Sequence, residues 1–449
     1  MPPVIFYKGF IMRGMKLKLG LVCLSALLLV CLAGCTAKQA PSSDPATADS
    51  GAAATTAYDS AKAVIKPESG KLNGNILEFM AGPEGKVVEF VYGAFTEGQN
   101  ELSGNKLTIK GGVIADSAYG AYTEGRAENN KVVVTGGRIG RRVEGGHGRQ
   151  GSRGNELVFE GGSVENAYGG YSSDGPADDN KLVVRGGTIA DDAQAGLSLR
   201  GSAANNTLTM EGGLVTDQLY GGYGMEGPAT GNTAIVSGGA VKGDVNGAVS
   251  STHEATGNTL ILRGSPQIGG SVYGAFAVGE YGNEPDDVTG NKILLEGFKG
   301  ALGDIWNAEQ VSIDKSSRLA NRERELNFYN CVNFKNDGVI ALSEYGQAYL
   351  EISKYSGKGS FEIDGLVGIT IKGGELSAPL RIKINPAEHF QELKSFDEVA
   401  LVELRSGKFG KGLTADTAVQ LLNNKVGDMT LRLRHMESGG THTWLLSGE

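Results

Sequence analysis

An asparagine recurs nine times at nearly fixed spacing, at Asn75, Asn105, Asn130, Asn155, Asn180, Asn206, Asn232, Asn258 and Asn291. The successive steps are 30, 25, 25, 25, 26, 26, 26 and 33. From Asn105 onward each one is followed six places later by glycine, at Gly111, Gly136, Gly161, Gly186, Gly212, Gly238, Gly264 and Gly297. A period of this size marks stacked repeats, in which each repeat can bury its apolar face only against its neighbours. The chain has 70 glycines among 449 residues, more than double the usual share of about 7%. Locked to the same period, they read as turns repeated in register.

Within one repeat, Leu107 and Ile109 alternate with Lys106, Thr108 and Lys110. That period of two is the pattern of a strand with one buried face. The same two positions hold Val132/Val134, Leu157/Phe159, Leu182/Val184, Leu208/Met210, Ala234/Val236, Leu260/Leu262 and Ile293/Leu295. A glycine pair then turns a corner, and a second short strand follows with Ile114, Ile139, Val164, Ile189, Val215 or Val241 inward. The helical spacing of i, i+3, i+4 is missing. The chain is therefore expected to be all-β, a right-handed parallel β-helix (β-solenoid) over residues 71–300. A β-rich capping region is expected over 301–449, where the period fades. It should include a short helix within 415–424 and a final strand pair, Met429–Leu433 with Thr443–Leu446.

The first residues read as an address. Lys16 and Lys18 precede an apolar run from Leu19 to Ala33, too short for a bilayer span and typical of a signal-peptide core. The run ends in Leu32-Ala33-Gly34-Cys35, which resembles the lipobox of bacterial lipoproteins. The resemblance implies cleavage after residue 34, lipid on Cys35, and a cell-envelope location, lipid-anchored at the outer membrane on its periplasmic face or at the cell surface. Residues 35–70, rich in Ala, Thr, Ser, Pro and Asp, are expected to be a flexible tether. Cys331 is then the one cysteine left in the folded part, expected as a small buried hydrophobe.

Coils of the form Asn-x-Leu-x-Ile-x-Gly-Gly followed by Tyr-Gly-Gly-Tyr or Tyr-Gly-Ala-Tyr, as in Asn105–Tyr122, Asn155–Tyr171 and Asn206–Tyr223, resemble repeats in passenger domains of Gram-negative autotransporters. Tyr349–Gly365 looks like the segment that closes such passengers. The resemblance implies a solenoid fold and an adhesin-like role, and carries no catalytic residue across. Only about 80 residues follow Lys372, too few for the membrane barrel of that family, so lipid on Cys35 is expected to serve as the anchor.

Three features differ between repeats. At the Tyr-Gly site, direct alignment gives Tyr119, Glu144, Tyr168, Ala195, Tyr220, Asn246 and Tyr273. Three places later it gives Tyr122, His147, Tyr171, Ser198, Tyr223, Val249 and Phe276. Aromatics on every second coil would lie about 9.6 Å apart, near the length of a disaccharide, so this row is a candidate glycan-stacking surface. The preferred reading is that large and small residues alternate to fill space, with at least one Tyr of each pair buried. One coil carries Arg138, Arg141, Arg142, His147, Arg149 and Arg153, a candidate anion-binding set for sulfated or phosphorylated glycans or lipopolysaccharide. The preferred alternative is a solvated loop balanced by Asp174, Asp178 and Asp179. The asparagine column itself is expected to be a structural hydrogen-bonded spine.

The formal charge of -9 argues against nonspecific nucleic-acid binding. No cofactor fingerprint, Ser/His/Asp arrangement or Cys/His metal spacing occurs, so no catalytic residue, metal or cofactor is expected. The expected function is a lipid-anchored binding or scaffold protein of the envelope, contacting the membrane through its lipid and glycans through its flank. Two alternatives stand beside it. One is a polysaccharide-degrading enzyme, a lyase or hydrolase, for which Asp191-Asp192 near Asp178-Asp179 is the best available cluster. The other is a purely structural spacer.

Overall fold

A computed structural model describes residues 56–59, 64–67, 71–82, 85–277, 288–365, 367–386 and 398–449. The signal segment and Cys35 lie outside the described residues. The fold is a β-solenoid of about 12 turns. Leu107, Val132, Leu157, Leu182, Leu208, Ala234, Leu260 and Ile293 are vertical neighbours in one parallel register. All are fully buried, as the alternation in the sequence requires. The second inward column, Ile114 to Val241, is also buried.

The corners explain the glycines. In each pair the second glycine adopts positive φ, for example Gly112 at 80°, Gly162 at 86° and Gly213 at 84°. A Cβ on Gly162 would lie 2.5 Å from the Gly137 carbonyl oxygen of the coil below, closer than any side chain tolerates. A second left-handed position immediately precedes each spine asparagine: Gly74, Gly104, Asn129, Gly154, Asp179, Asn205, Gly231, Gly257 and Gly290. Only Gly, Asn and Asp occur there, the residues that enter this region at least cost.

The spine saturates its amides. Each asparagine donates its backbone N–H and one Nδ2 hydrogen to Oδ1 of the asparagine one coil on, as in Asn105 to Asn130 at 3.0 and 2.9 Å. The remaining Nδ2 hydrogen goes to a backbone carbonyl, as in Asn130 to Leu102 at 2.9 Å. The pattern runs from Asn75 to Asn291. Asn75, the first rung, is left with a buried Oδ1 that has no hydrogen-bond partner among the described residues.

Two expected boundaries need correction. The stack does not end near residue 300. Ile293, Val311, Phe334, Tyr355, Leu376 and Phe409 continue the register in parallel. A parallel sheet of strands 299–302, 318–321, 339–342, 360–364, 380–385 and 419–421 runs beside them. The coils shorten here: each step from Val311 to Phe334, Tyr355 and Leu376 is smaller than any step of the asparagine column. The Asn-Gly signature fades because the long polar turns are gone and the core fills with rings instead, Phe328 against Phe334 at 4.7 Å and Phe334 against Tyr355 at 5.8 Å. Cys331 is buried in this core, and burial pushes its thiol up to about 12.

At the C-terminal end the pairing turns antiparallel. Val399–Arg405 takes Thr441–Gly448 as its antiparallel neighbour, and Met429–Ser438 closes the hairpin. The helix is a single turn, Ala415–Ala418. The other boundary is the tether. Thr56–Asp59 and Val64–Pro67, inside residues 35–70, form an antiparallel pair laid on Val88–Tyr92. Val64 and Ile65 are buried there. An antiparallel pair thus covers one terminal strand at each end, Val88–Tyr92 and Val399–Arg405, and shields part of an edge able to recruit other chains.

Candidate functional site

The register corrects the alignment at one coil. Val164 pairs with Ile189 but Ala167 pairs with Ala193, so the second pair is separated by one residue more than the first. The irregular corner is the one before Tyr168: Val164 to Ala167 is one residue shorter than Ile139 to Val143 or Ile189 to Ala193. Tyr168 therefore faces Gln194, not Ala195, and Tyr171 faces Leu197, not Ser198. The column then reads Tyr92, Tyr119, Glu144, Tyr168, Gln194, Tyr220, Asn246, Tyr273, Trp306 and Tyr329. Planar carboxyl and carboxamide groups, not small residues, alternate with the tyrosines from Tyr119 to Tyr273.

Tyr119, Tyr168 and Tyr220 are buried, whereas Tyr122, Tyr171, Tyr223, Tyr273 and Phe276 are half-buried. The expectation of one buried ring per pair holds for three pairs and not for Tyr273/Phe276. The outer rings are not spaced by two coils. Phe95, Tyr122, His147 and Tyr171 form one continuous stack with centroids 5.8, 4.5 and 4.7 Å apart and planes within 22°. His147 fills the gap that the aligned tyrosines leave. Tyr122 and His147 have both faces covered, so this row offers a sugar ring edges and no open faces.

Behind the stack lies a buried charged group. Glu144 is completely buried; its Oε2 meets His147 Nδ1 at 2.9 Å and its Oε1 lies 3.4 Å from Arg142 Nη1. The second contact is an ion pair without hydrogen-bond geometry, and Glu144 Oε1 and, separately, Arg142 Nε have no hydrogen-bond partner among the described residues. Arg142 also sits over the Tyr171 ring at 5.6 Å. Burial pulls its guanidinium down, but Glu144 and the surrounding tyrosines outweigh that and raise it. Burial likewise raises the Tyr119 and Tyr168 hydroxyls, which face Glu144 from the two adjacent coils.

The six basic residues do not form one site. Arg142 and His147 belong to the buried group. Arg149 pairs with Asp174 at 2.5 Å and Glu124 at 3.1 Å, and Arg153 with Asp179 at 2.9 Å. Arg138 and Arg141 are exposed and make no ion pair among the described residues. The charge is matched locally because acids recur at the same turn of adjacent coils. The acidic cluster is also split. Asp178 ends a strand of the seven-stranded sheet and Asp179 follows it, apart from Asp191-Asp192 beside the main sheet. The partner that Asp191 and Asp192 do have is Asp217, with carboxylate oxygens of all three within 4.8 Å. Burial, then Asp191 and Asp217, push the Asp192 carboxyl up to about 7.

Comparison with known proteins gives a plain result. No family model, no curated protein and no solved structure matches this chain. The chemistry must be read from the molecule itself.

Toward the C-terminal end the aromatic column continues without polar interruptions. Tyr273 stacks on Trp306 at 6.3 Å, Trp306 on Tyr329 at 4.1 Å, and Tyr329 leans on Tyr349 at 5.6 Å. The next two rungs after Tyr349 are Thr370 and Glu403. With the rings gone, a cavity of about 390 Å³ opens, lined by Tyr329, Tyr349, Glu325, Asn327, Glu403 and Arg405 among others. Arg405 holds Glu403 Oε2 from Nε at 3.0 Å and from Nη2 at 2.5 Å. Asn327 Nδ2 donates to Asp304 and Glu325. Sequence reasoning missed this site. Its residues come from successive coils that had lost the repeat signature.

Proposed function

We propose that the protein is a lipid-anchored scaffold of the cell envelope that contacts glycans at the C-terminal end of its aromatic column. About 12 turns at roughly 4.8 Å each give a solenoid roughly 60 Å long, which suits a scaffold. The observation that carries the glycan contact is the cavity at Tyr329 and Tyr349, where rings, carboxylates, amides and one arginine converge. Rings cover the apolar faces of sugars while planar polar groups meet their hydroxyls. Two carboxylates against one guanidinium favour neutral or amino sugars over uronic acids.

Two experiments test the reading. Cys35→Ser should move the protein from the detergent phase to the aqueous phase on cell fractionation; a soluble wild type would sink the anchor. A glycan array should give binding that Tyr349→Ala removes, and an unchanged array pattern would move the contact elsewhere.

The second reading, a polysaccharide-degrading enzyme, is favoured by Asp192, whose carboxyl near 7 is poised for proton transfer at neutral pH. Product release from pectate, alginate or heparan that Asp192→Asn abolishes would establish it. Silence in both assays leaves the spacer.

A further inference from the structure

The terminal hairpin, strands Met429–Ser438 and Thr441–Gly448, carries two of the chain's five histidines. His435 pairs with Trp444 and Glu437 with His442. Residues two apart share a face, so His435, Glu437, His442 and Trp444 all stand on one side, with His435 and His442 diagonal neighbours. That side begins in the core, where Leu431, Trp444 and Leu446 are buried, and ends in solvent at Glu437. The histidines sit at the crossing point, half-buried.

Their ring nitrogens converge. His435 Nε2 and His442 Nδ1 are 3.0 Å apart, and Glu437 Oε2 is 3.7 Å from His442 Nδ1. The surroundings fix the rings. Trp444 packs on His435 at 5.2 Å and Phe409 on His442 at 4.8 Å. Trp444 is pinned by its indole N–H, which donates to the Ala415 carbonyl at 2.9 Å. His442 is held from the other side by its register with Leu404.

We propose that His435, His442 and Glu437 bind a first-row transition ion of the Zn²⁺ class. Two nitrogens on a tetrahedral ion at about 2.0–2.1 Å stand roughly 3.3 Å apart, a few tenths of an ångström wider than they stand now. Binding needs a tautomer exchange, a slight parting of the two rings and a swing of the Glu437 carboxylate toward both nitrogens. The proton that one ring now shares with the other moves to the far nitrogen of its own ring, leaving both facing lone pairs free. Glu437 supplies a carboxylate oxygen and neutralises part of the charge, and water completes the shell. Imidazole with one carboxylate suits Zn²⁺, Ni²⁺ or Cu²⁺ over Mg²⁺ or Ca²⁺.

The test uses the full chain without an affinity tag. Titration with ZnCl₂ should give one ion per chain. His435→Gln and His442→Gln should each weaken uptake by roughly tenfold or more, while His253→Gln leaves it unchanged. Cu²⁺-loaded protein should show two nitrogen ligands by electron paramagnetic resonance. As a measurement that needs no variant, Zn²⁺ should protect His435 and His442, and not His253, from diethylpyrocarbonate, read by mass spectrometry. No uptake, uptake unchanged in the double variant, or absence of protection would each overturn the site.

Discussion

Asn130 gives both its backbone N–H and its side-chain Nδ2 to one atom, Oδ1 of Asn155, at 2.9 Å each. Removing that atom orphans two buried donors at once. Asn155→Ala should therefore cost about 2–4 kcal/mol, read as a lower urea midpoint. Asn75→Ala should cost less, because Asn75 Oδ1 accepts no hydrogen bond from the described residues. Equal losses at the two positions would show that the spine contributes only local turn geometry.

The corner glycines should separate by contact as well as by φ. Gly162 and Gly104 both have positive φ, at 86° and 66°. A methyl group at Gly162 meets the Gly137 carbonyl at 2.5 Å, while at Gly104 it meets nothing within 4 Å. Gly104→Ala should cost about 1 kcal/mol from backbone strain alone. Gly162→Ala should cost clearly more, with loss of register measured by hydrogen exchange in the adjacent coils.

Glu144 should behave as one half of a buried pair. Glu144→Ala leaves the Arg142 guanidinium without its carboxylate and should cost about 3–5 kcal/mol. The double change Arg142→Met with Glu144→Leu should recover most of that loss. A double-mutant cycle in urea gives the coupling, and a coupling near zero would mean that Arg142 reaches solvent when Glu144 is removed.

Asp192 sets a pH dependence. Its carboxyl titrates at about 7 in the folded chain, above the ordinary value of 3.8. Between those limits the folded state holds a proton that the unfolded state has lost, so stability falls as pH rises. Wild type should gain stability on going from pH 8 to pH 5, by up to a few kcal/mol. Asp192→Asn should be more stable than wild type at pH 8 and lose most of that gain. The lowered carboxyls of Asp174, Asp337 and Glu362 act the other way. Their contribution is present above the ordinary carboxylate range and is lost only as pH falls below it, outside this window.

The sequence by itself determined the coil. Period-two alternation and the Asn-Gly spacing are local properties, and stacking copies them from one turn to the next, so Leu107 to Ile293 and the asparagine spine were legible residue by residue. Which side chains meet between coils depended on something no period contains. One residue missing from the corner between Val164 and Ala167 decides that Gln194 lies beside Tyr168, and a filled position decides that His147 completes a ring stack. The cavity at Tyr349 and the meeting of His435 with His442 depend on pairings between segments without a repeat. There the partners are chosen by core packing and by the antiparallel return of the last strand, so only the tertiary structure could bring them together.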